Sequence, residues 1–158
     1  MDLKKFDWSK NIKECLEKTY YCCLGTFGDE GVWTNPVFFA YDNDLNFYFI
    51  SNPRSRHMQN IIENETLGMS IYDTVHAPDK PHKGIQLKGD CYVVDSDEVD
   101  KVFNIYFSRA KKGEAKTEDY LNDSEWRFCK VEPTEIWYFD TEFFGEERKR
   151  VPDKFTLK

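Results

Sequence analysis

The residues best suited to chemistry fall in one short run, Ser51-Asn52-Pro53-Arg54-Ser55-Arg56-His57. Pro53 suits the first turn of a helix running to about Ile62, so the run gathers hydroxyls, guanidiniums and an imidazole at a helix N-terminus. Unpaired N–H groups and the positive end of the helix dipole favour an anion there, and phosphate is the commonest anion that needs such a place. Ser51 and Ser55 would donate hydrogen bonds, Arg56 would offer a planar fork, and His57 would add a donor. The same residues also suit a plain helix start, with Ser55 as the cap and Arg54, Arg56 and His57 solvated.

Two strand features stand beside this run. Asn35-Pro36 interrupts an apolar strand, and proline cannot donate to a ladder. Pro36 therefore belongs at an edge, at a bulge, or beside something other than a strand, such as a flat ligand. In Gly84-Ile85-Gln86-Leu87-Lys88-Gly89, alternation puts Gln86 and Lys88 on one face and Ile85 and Leu87 on the other. The polar face meets either the polar edge of a ligand or water.

Other chemistries lack their residues. The sequence has no GxSxG, HExxH, P-loop or GxGxxG pattern. His57, His76 and His82 do not fall at metal-ligand spacing, so no metal site is expected. Cys22 and Cys23 are adjacent on a strand and point to opposite faces, which makes them a poor redox pair. With 5 cysteines and no CxxC, reduced and mostly buried thiols are expected.

These residues need elements to position them. Residues 7–19 have helical periodicity, with Ile12, Cys15 and Leu16 on one face and Asp7 or Ser9 as the cap. Strands are expected over 20–27, 32–41, 45–51, 66–72 and 84–95, the last with a bulge at Gly89. A helix should start at Ser96 by a capping-box pattern, with Val99, Val102, Phe103, Tyr106 and Phe107 inward. Residues 73–83 form a long loop that is a candidate for covering a site. Residues 126–140 read as a last strand, or a strand pair broken near Pro133, and 141–158 show little periodicity. Roughly six or seven sequentially adjacent strands with few helices favour a mainly β fold, an antiparallel barrel with peripheral helices.

A length of 158 residues with 40% hydrophobic and 16% aromatic content suits one folded domain over 1–158. No apolar run approaches the roughly 20 residues of a transmembrane helix. The start, Met-Asp-Leu-Lys-Lys-Phe-Asp-Trp, lacks the apolar core of a signal peptide, so a cytoplasmic protein with no membrane partner is expected. A net charge of -7 argues against nucleic acid as a partner.

Taken in order, LGTFGDEGVWTNPVFFAYDNDLNFYFIS, then SRHMQNI, then GIQLKG, then EIWYFD resemble the pyridoxamine 5'-phosphate oxidase-like family of FMN-binding split barrels, in its branch of small bacterial proteins. The resemblance covers roughly residues 20–140. It implies a six-stranded antiparallel split β-barrel, a homodimer, and FMN as cofactor. Asn35, Pro36, Val37 and Phe38 would run beside the flavin ring, with Gln86 and Lys88 reaching it from the neighbouring strand. Ser51, Ser55, Arg56 and His57 would hold the phosphate. The implied activity is flavin-mediated electron or hydride transfer to an unidentified small molecule, with NAD(P)H as a candidate donor. A non-catalytic flavin- or haem-binding module is the alternative. The Arg and His set that true pyridoxamine-phosphate oxidases carry near the C-terminus is missing from FFGEERKRV, so oxidation of vitamin B6 is not implied. No catalytic acid or base is named.

Overall fold

Alternate residues are buried along Tyr21–Gly28, Thr66–Tyr72 and Lys83–Val93, and this period of two gives the sheet a dry inner face. The computed structural model describes residues 3–73, 77, 79–111 and 115–158. His76 and Pro78, in the loop expected to cover a site, lie outside them. The strands are β1 (Tyr21–Gly28), β2 (Gly31–Phe38), β3 (Ala40–Tyr41), β4 (Phe47–Ser51), β5 (Thr66–Tyr72), β6 (Lys83–Val93), β7 (Arg127–Asp140) and β8 (Arg148–Arg150). They pair antiparallel in the order β2-β1-β5-β6-β7-β4-β3, with β8 also on β7. β2 at one end approaches β4 near the other, so the sheet curls into a split barrel.

The fold class is the expected one, but the sheet has eight strands rather than six. Part of the excess arises at Phe39, where the expected strand over 32–41 divides. The Phe39 N–H still bonds to Tyr20 O at 3.2 Å, whereas Ala40 and Tyr41 pair with Tyr48 and Phe47. The remainder is β8, in a tail that showed no period. That tail nevertheless contributes Val151 and Leu157 to the core and is tied by Leu157 N–H to Asn43 O at 2.7 Å.

The dry face carries Leu24, Phe49, Met69, Ile85, Leu87 and Val131. It packs on Ile12 and Leu16 of α1 (Trp8–Lys18) and Met58 and Ile61 of α2 (Arg56–Glu63). Asp7 caps α1, its carboxylate accepting the Lys10 N–H at 3.0 Å. Ser96 does not cap the next helix. Instead, α3 (Val99–Ala110) has Glu98 at its cap position and no side-chain capping bond. α3 buries Val99, Val102 and Tyr106 in a second, smaller core with Tyr48 and Phe128. A last turn, α4 (Thr141–Phe144), is capped by Asp140. Among the described residues no helix is long and apolar enough to cross a membrane.

Arg109, at the end of α3, locks these layers together. Its Nε donates to Phe39 O at 3.0 Å, and its Nη2 donates to Leu16 O at 2.6 Å and Thr19 O at 2.7 Å. The guanidinium lies over the rings of Tyr20, Phe39 and Tyr41.

The β6–β7 register shifts between Lys88 and Gly89, but the bulge expected on β6 at Gly89 lies on the partner strand instead. The unopposed residue is Thr134 on β7, so β7 is one strand through Pro133. Gly89 lies so close to β7 that an added Cβ would stand 2.6 Å from Glu132 O. Because the obstacle is backbone, Gly89→Ala should destabilise the protein by about 1–3 kcal/mol. Urea unfolding measures this, and an unchanged midpoint would mean that the bulge yields freely.

Candidate functional site

β4 ends where α2 begins, and this junction brings three of the expected polar residues together. Ser51 has the same strand parity as the core residues Phe47 and Phe49 and so points inward. Its Oγ lies 2.6 Å from His57 Nε2, and Ser55 Oγ is 3.3 Å from both atoms. Ser55 occupies the cap position of α2 but makes no capping bond. The first-turn N–H groups of α2 therefore have no side-chain acceptor, and the hydroxyl joins Ser51 and His57 instead. Burial pushes the His57 pKa below its ordinary value, which leaves the ring neutral at neutral pH.

Arg56 leaves this cluster. Its guanidinium lies 4.3 Å from the Trp33 ring centre. Nη2 donates to Glu30 O at 3.1 Å, and the Glu30 carboxylate is 3.6 Å from Nε. Nε is buried and has no hydrogen-bond partner among the described residues. The other end of α2 holds the same hairpin tip, with Glu63 accepting the Asp29 N–H at 2.9 Å. α2 thus clasps the β1–β2 turn from both ends.

Pro36 lies on β2, the strand that ends the sheet. The bond from Phe39 N–H to Tyr20 O fixes the phase of the β1–β2 ladder. Counting back, Val37 faces Cys22 as a hydrogen-bonded pair and Pro36 faces Cys23 as a non-bonded one. The proline nitrogen points away from β1, so no ladder bond is lost. Val37 is buried on the inner side, and Asn35 shares its parity. Phe38 stacks with Tyr20 and meets Tyr106 edge-on.

The register places Pro36, Cys23, Ser70, Gln86 and Trp137 in one row across the outer face of the sheet. A groove of about 360 Å³ opens along part of this row, with Tyr20, Tyr21 and Tyr72 around Cys23, Pro36 and Ser70. Gln86 is exposed, and its Oε1 accepts from Arg148 Nε at 3.1 Å. Lys88 is exposed on the same face, opposite Glu135. The structure thus joins Ser51, Ser55 and His57 on the inner side and aligns Pro36 with Gln86 on the outer side. Arg56 stands between Trp33 and Glu30.

Sequence reasoning missed Glu30, Trp33, Ser70 and Arg148. The tight turn at Gly28–Gly31 makes the β1–β2 register countable, so Trp33 could have been placed. Arg148 lies 62 residues from Gln86, in a basic run with no period, and nothing local tied it to that glutamine.

A sequence profile described as pyridoxamine 5'-phosphate oxidase matches residues 9–140. The chain belongs to the pyridoxamine 5'-phosphate oxidase family. No curated protein matches its sequence. Solved structures share the fold of this family member at low identity. General Stress Protein 26 from Bacillus anthracis str. Sterne superposes with a TM-score of 0.64 at 16% identity, over 92% of this chain and 100% of that one. A protein from Mesorhizobium loti described as FAD-binding gives 0.64 at 12% identity, over 84% and 94%. A heme binding protein from Mycobacterium smegmatis gives 0.70 at 12% identity, over 90% of this chain and 57% of that one.

Proposed function

We propose that this member of the pyridoxamine 5'-phosphate oxidase family binds FMN as a single split-barrel domain and transfers electrons or hydride to a small molecule. The observation that carries the proposal is the uncapped start of α2, where Ser51, Ser55 and His57 converge. A phosphate fits there because two hydroxyls, the first-turn N–H groups and an Arg56 Nε without a hydrogen-bond partner all offer protons. Ser51, Ser55, Arg56 and His57 would hold the phosphate. Asn35, Pro36, Val37 and Phe38 would flank the ring, with Gln86 and Lys88 beside it. When bound, the flavin supplies the electron and hydride chemistry, and the protein binds and orients it. Arg56 must leave the Glu30 carboxylate to take part.

The exposed outer-face residues Tyr21, Phe27, Val32 and Tyr72, with Tyr20 beside them, form an apolar surface that suits a second copy of this chain, and the proposed assembly is a homodimer. Purified protein should be yellow or take up added FMN at micromolar concentration, with FMN released on denaturation. Failure to bind added FMN would remove the proposal. A second reading, ligand binding without turnover, is favoured by the buried Ser51/His57 pair, whose hydroxyl and ring nitrogen are bonded to each other. In that case NADH and NADPH would leave the bound flavin oxidised, and anaerobic reduction by either would exclude it.

A further inference from the structure

Arg148 is exposed, and its two side-chain hydrogen bonds go to neutral groups with no countercharge. Phe139 lies opposite Gly84 across β6–β7 and opposite Arg148 across β7–β8. Its ring covers Gly84, where an added Cβ would come within 2.5 Å of Cζ. Arg148 stacks on that ring, 5.7 Å from its centre, and reaches diagonally to Gln86 Oε1 at 3.1 Å. A second N–H, on Nη1, donates to Glu146 O at 3.0 Å. Every partner is electrically neutral, and among the described residues no carboxylate pairs with Arg148. Of the acids around it, Glu135 accepts the Trp137 indole N–H at 2.9 Å, Glu147 pairs with Lys149, and Asp153 pairs with Arg150 at 3.1 Å.

A guanidinium has five N–H donors in a planar fork. The bonds to Gln86 and Glu146 O use two, and the rest remain on the Nη groups. That end matches the two oxygens of one carboxylate. Lys88 stands on the same outer face, and the Trp137 indole flanks Gln86. This cationic point is unusual in a chain of net charge -7, and it ends the Pro36–Gln86 row, which spans about 14 Å at the usual strand spacing.

We infer that Arg148, oriented by Gln86 and Phe139, binds the carboxylate of a small aromatic acid at the Gln86 end of the ring platform. This rests on the flavin reading above for the position of the ring. It defines the ligand class as aromatic carboxylates.

The probes are benzoate and its neutral isostere benzamide, titrated into wild-type protein, Arg148→Ala and Arg148→Lys. Binding is read twice: by the flavin difference spectrum of FMN-loaded protein and by tryptophan fluorescence of FMN-free protein. Benzoate should bind the wild type at least about tenfold more tightly than benzamide. Arg148→Ala should remove that preference, and Arg148→Lys, which cannot form a fork, should restore it only in part. Equal affinity for the two probes, or a preference that survives Arg148→Ala, overturns the inference. The FMN dissociation constant is measured separately in each variant. A protein that fails to bind FMN but keeps Arg148-dependent benzoate binding in fluorescence sinks the flavin reading and spares this one.

Discussion

Arg109→Ala should be the most damaging single substitution outside the hydrophobic core, lowering stability by about 3–4 kcal/mol. Three backbone carbonyls, Leu16 O, Thr19 O and Phe39 O, accept from this one side chain. Two belong to the end of α1 and the segment just after it, where unpaired carbonyls carry the negative end of the helix dipole and favour a cation. The rings of Tyr20, Phe39 and Tyr41 surround the charge and attract it further. Truncation would strand the carbonyls and open a void among the rings. Arg109→Lys keeps the charge but cannot reach three acceptors on two layers, so it should recover less than half of the loss. Denaturant unfolding with an unchanged m-value tests both. A loss under about 1 kcal/mol for the alanine variant would show that water replaces the guanidinium.

The second large effect concerns the proposed FMN phosphate site and its pH dependence. Arg56→Ala should weaken FMN binding by about 1.5–3 kcal/mol, roughly tenfold to a hundredfold in Kd. An unaltered Kd would place the phosphate elsewhere. His57 adds a proton-linked signal. Burial lowers its pKa in the free protein, whereas a docked phosphate would raise it in the complex. Binding should then take up a proton, so affinity should rise as pH falls from about 8 to 6.5, above the second phosphate ionisation near 6. His57→Gln should flatten the profile. In the ligand-free protein the same shift acts on stability. The unfolded chain takes the proton near pH 6.5, and the folded chain takes it only at lower pH. The neutral-ring contribution is therefore complete above pH 6.5 and declines as pH falls toward the depressed folded value.

The fold was legible wherever a local rule governs it. Alternation located the β6 faces, Gly89 marked the bulge, and Ser55 marked the start of α2, with Pro53 in the turn before it rather than in its first turn. Ser96 misled because its sequence pattern competes with packing: Val99, not the serine, anchors α3 in its small core. The tail from Thr141 onward has no period because its buried residues, Val151 and Leu157, fill gaps one at a time. At the site, the grouping of Ser51, Ser55 and His57 follows from adjacency along the chain. The departure of Arg56 could not be read, since Glu30 and Trp33 reach it only through the closure of the barrel. Arg109 was invisible for a different reason: its hydrogen-bond partners are carbonyls, which every residue possesses.

The phase of the β1–β2 ladder bears on how this protein behaves when concentrated. Pairs at 32, 34, 36 and 38 are the non-bonded ones, so their backbone groups point outward along the free edge. A strand joining that edge would find donors at Val32 and Thr34 and then, at Pro36, none. The interruption comes after too few bonds to hold an incoming chain, although Val32 and Trp33 are exposed and apolar. One imino acid in that phase therefore works as a chain terminator against fibre-like stacking. Pro36→Val would leave the β1 ladder intact while turning the edge into a continuous template.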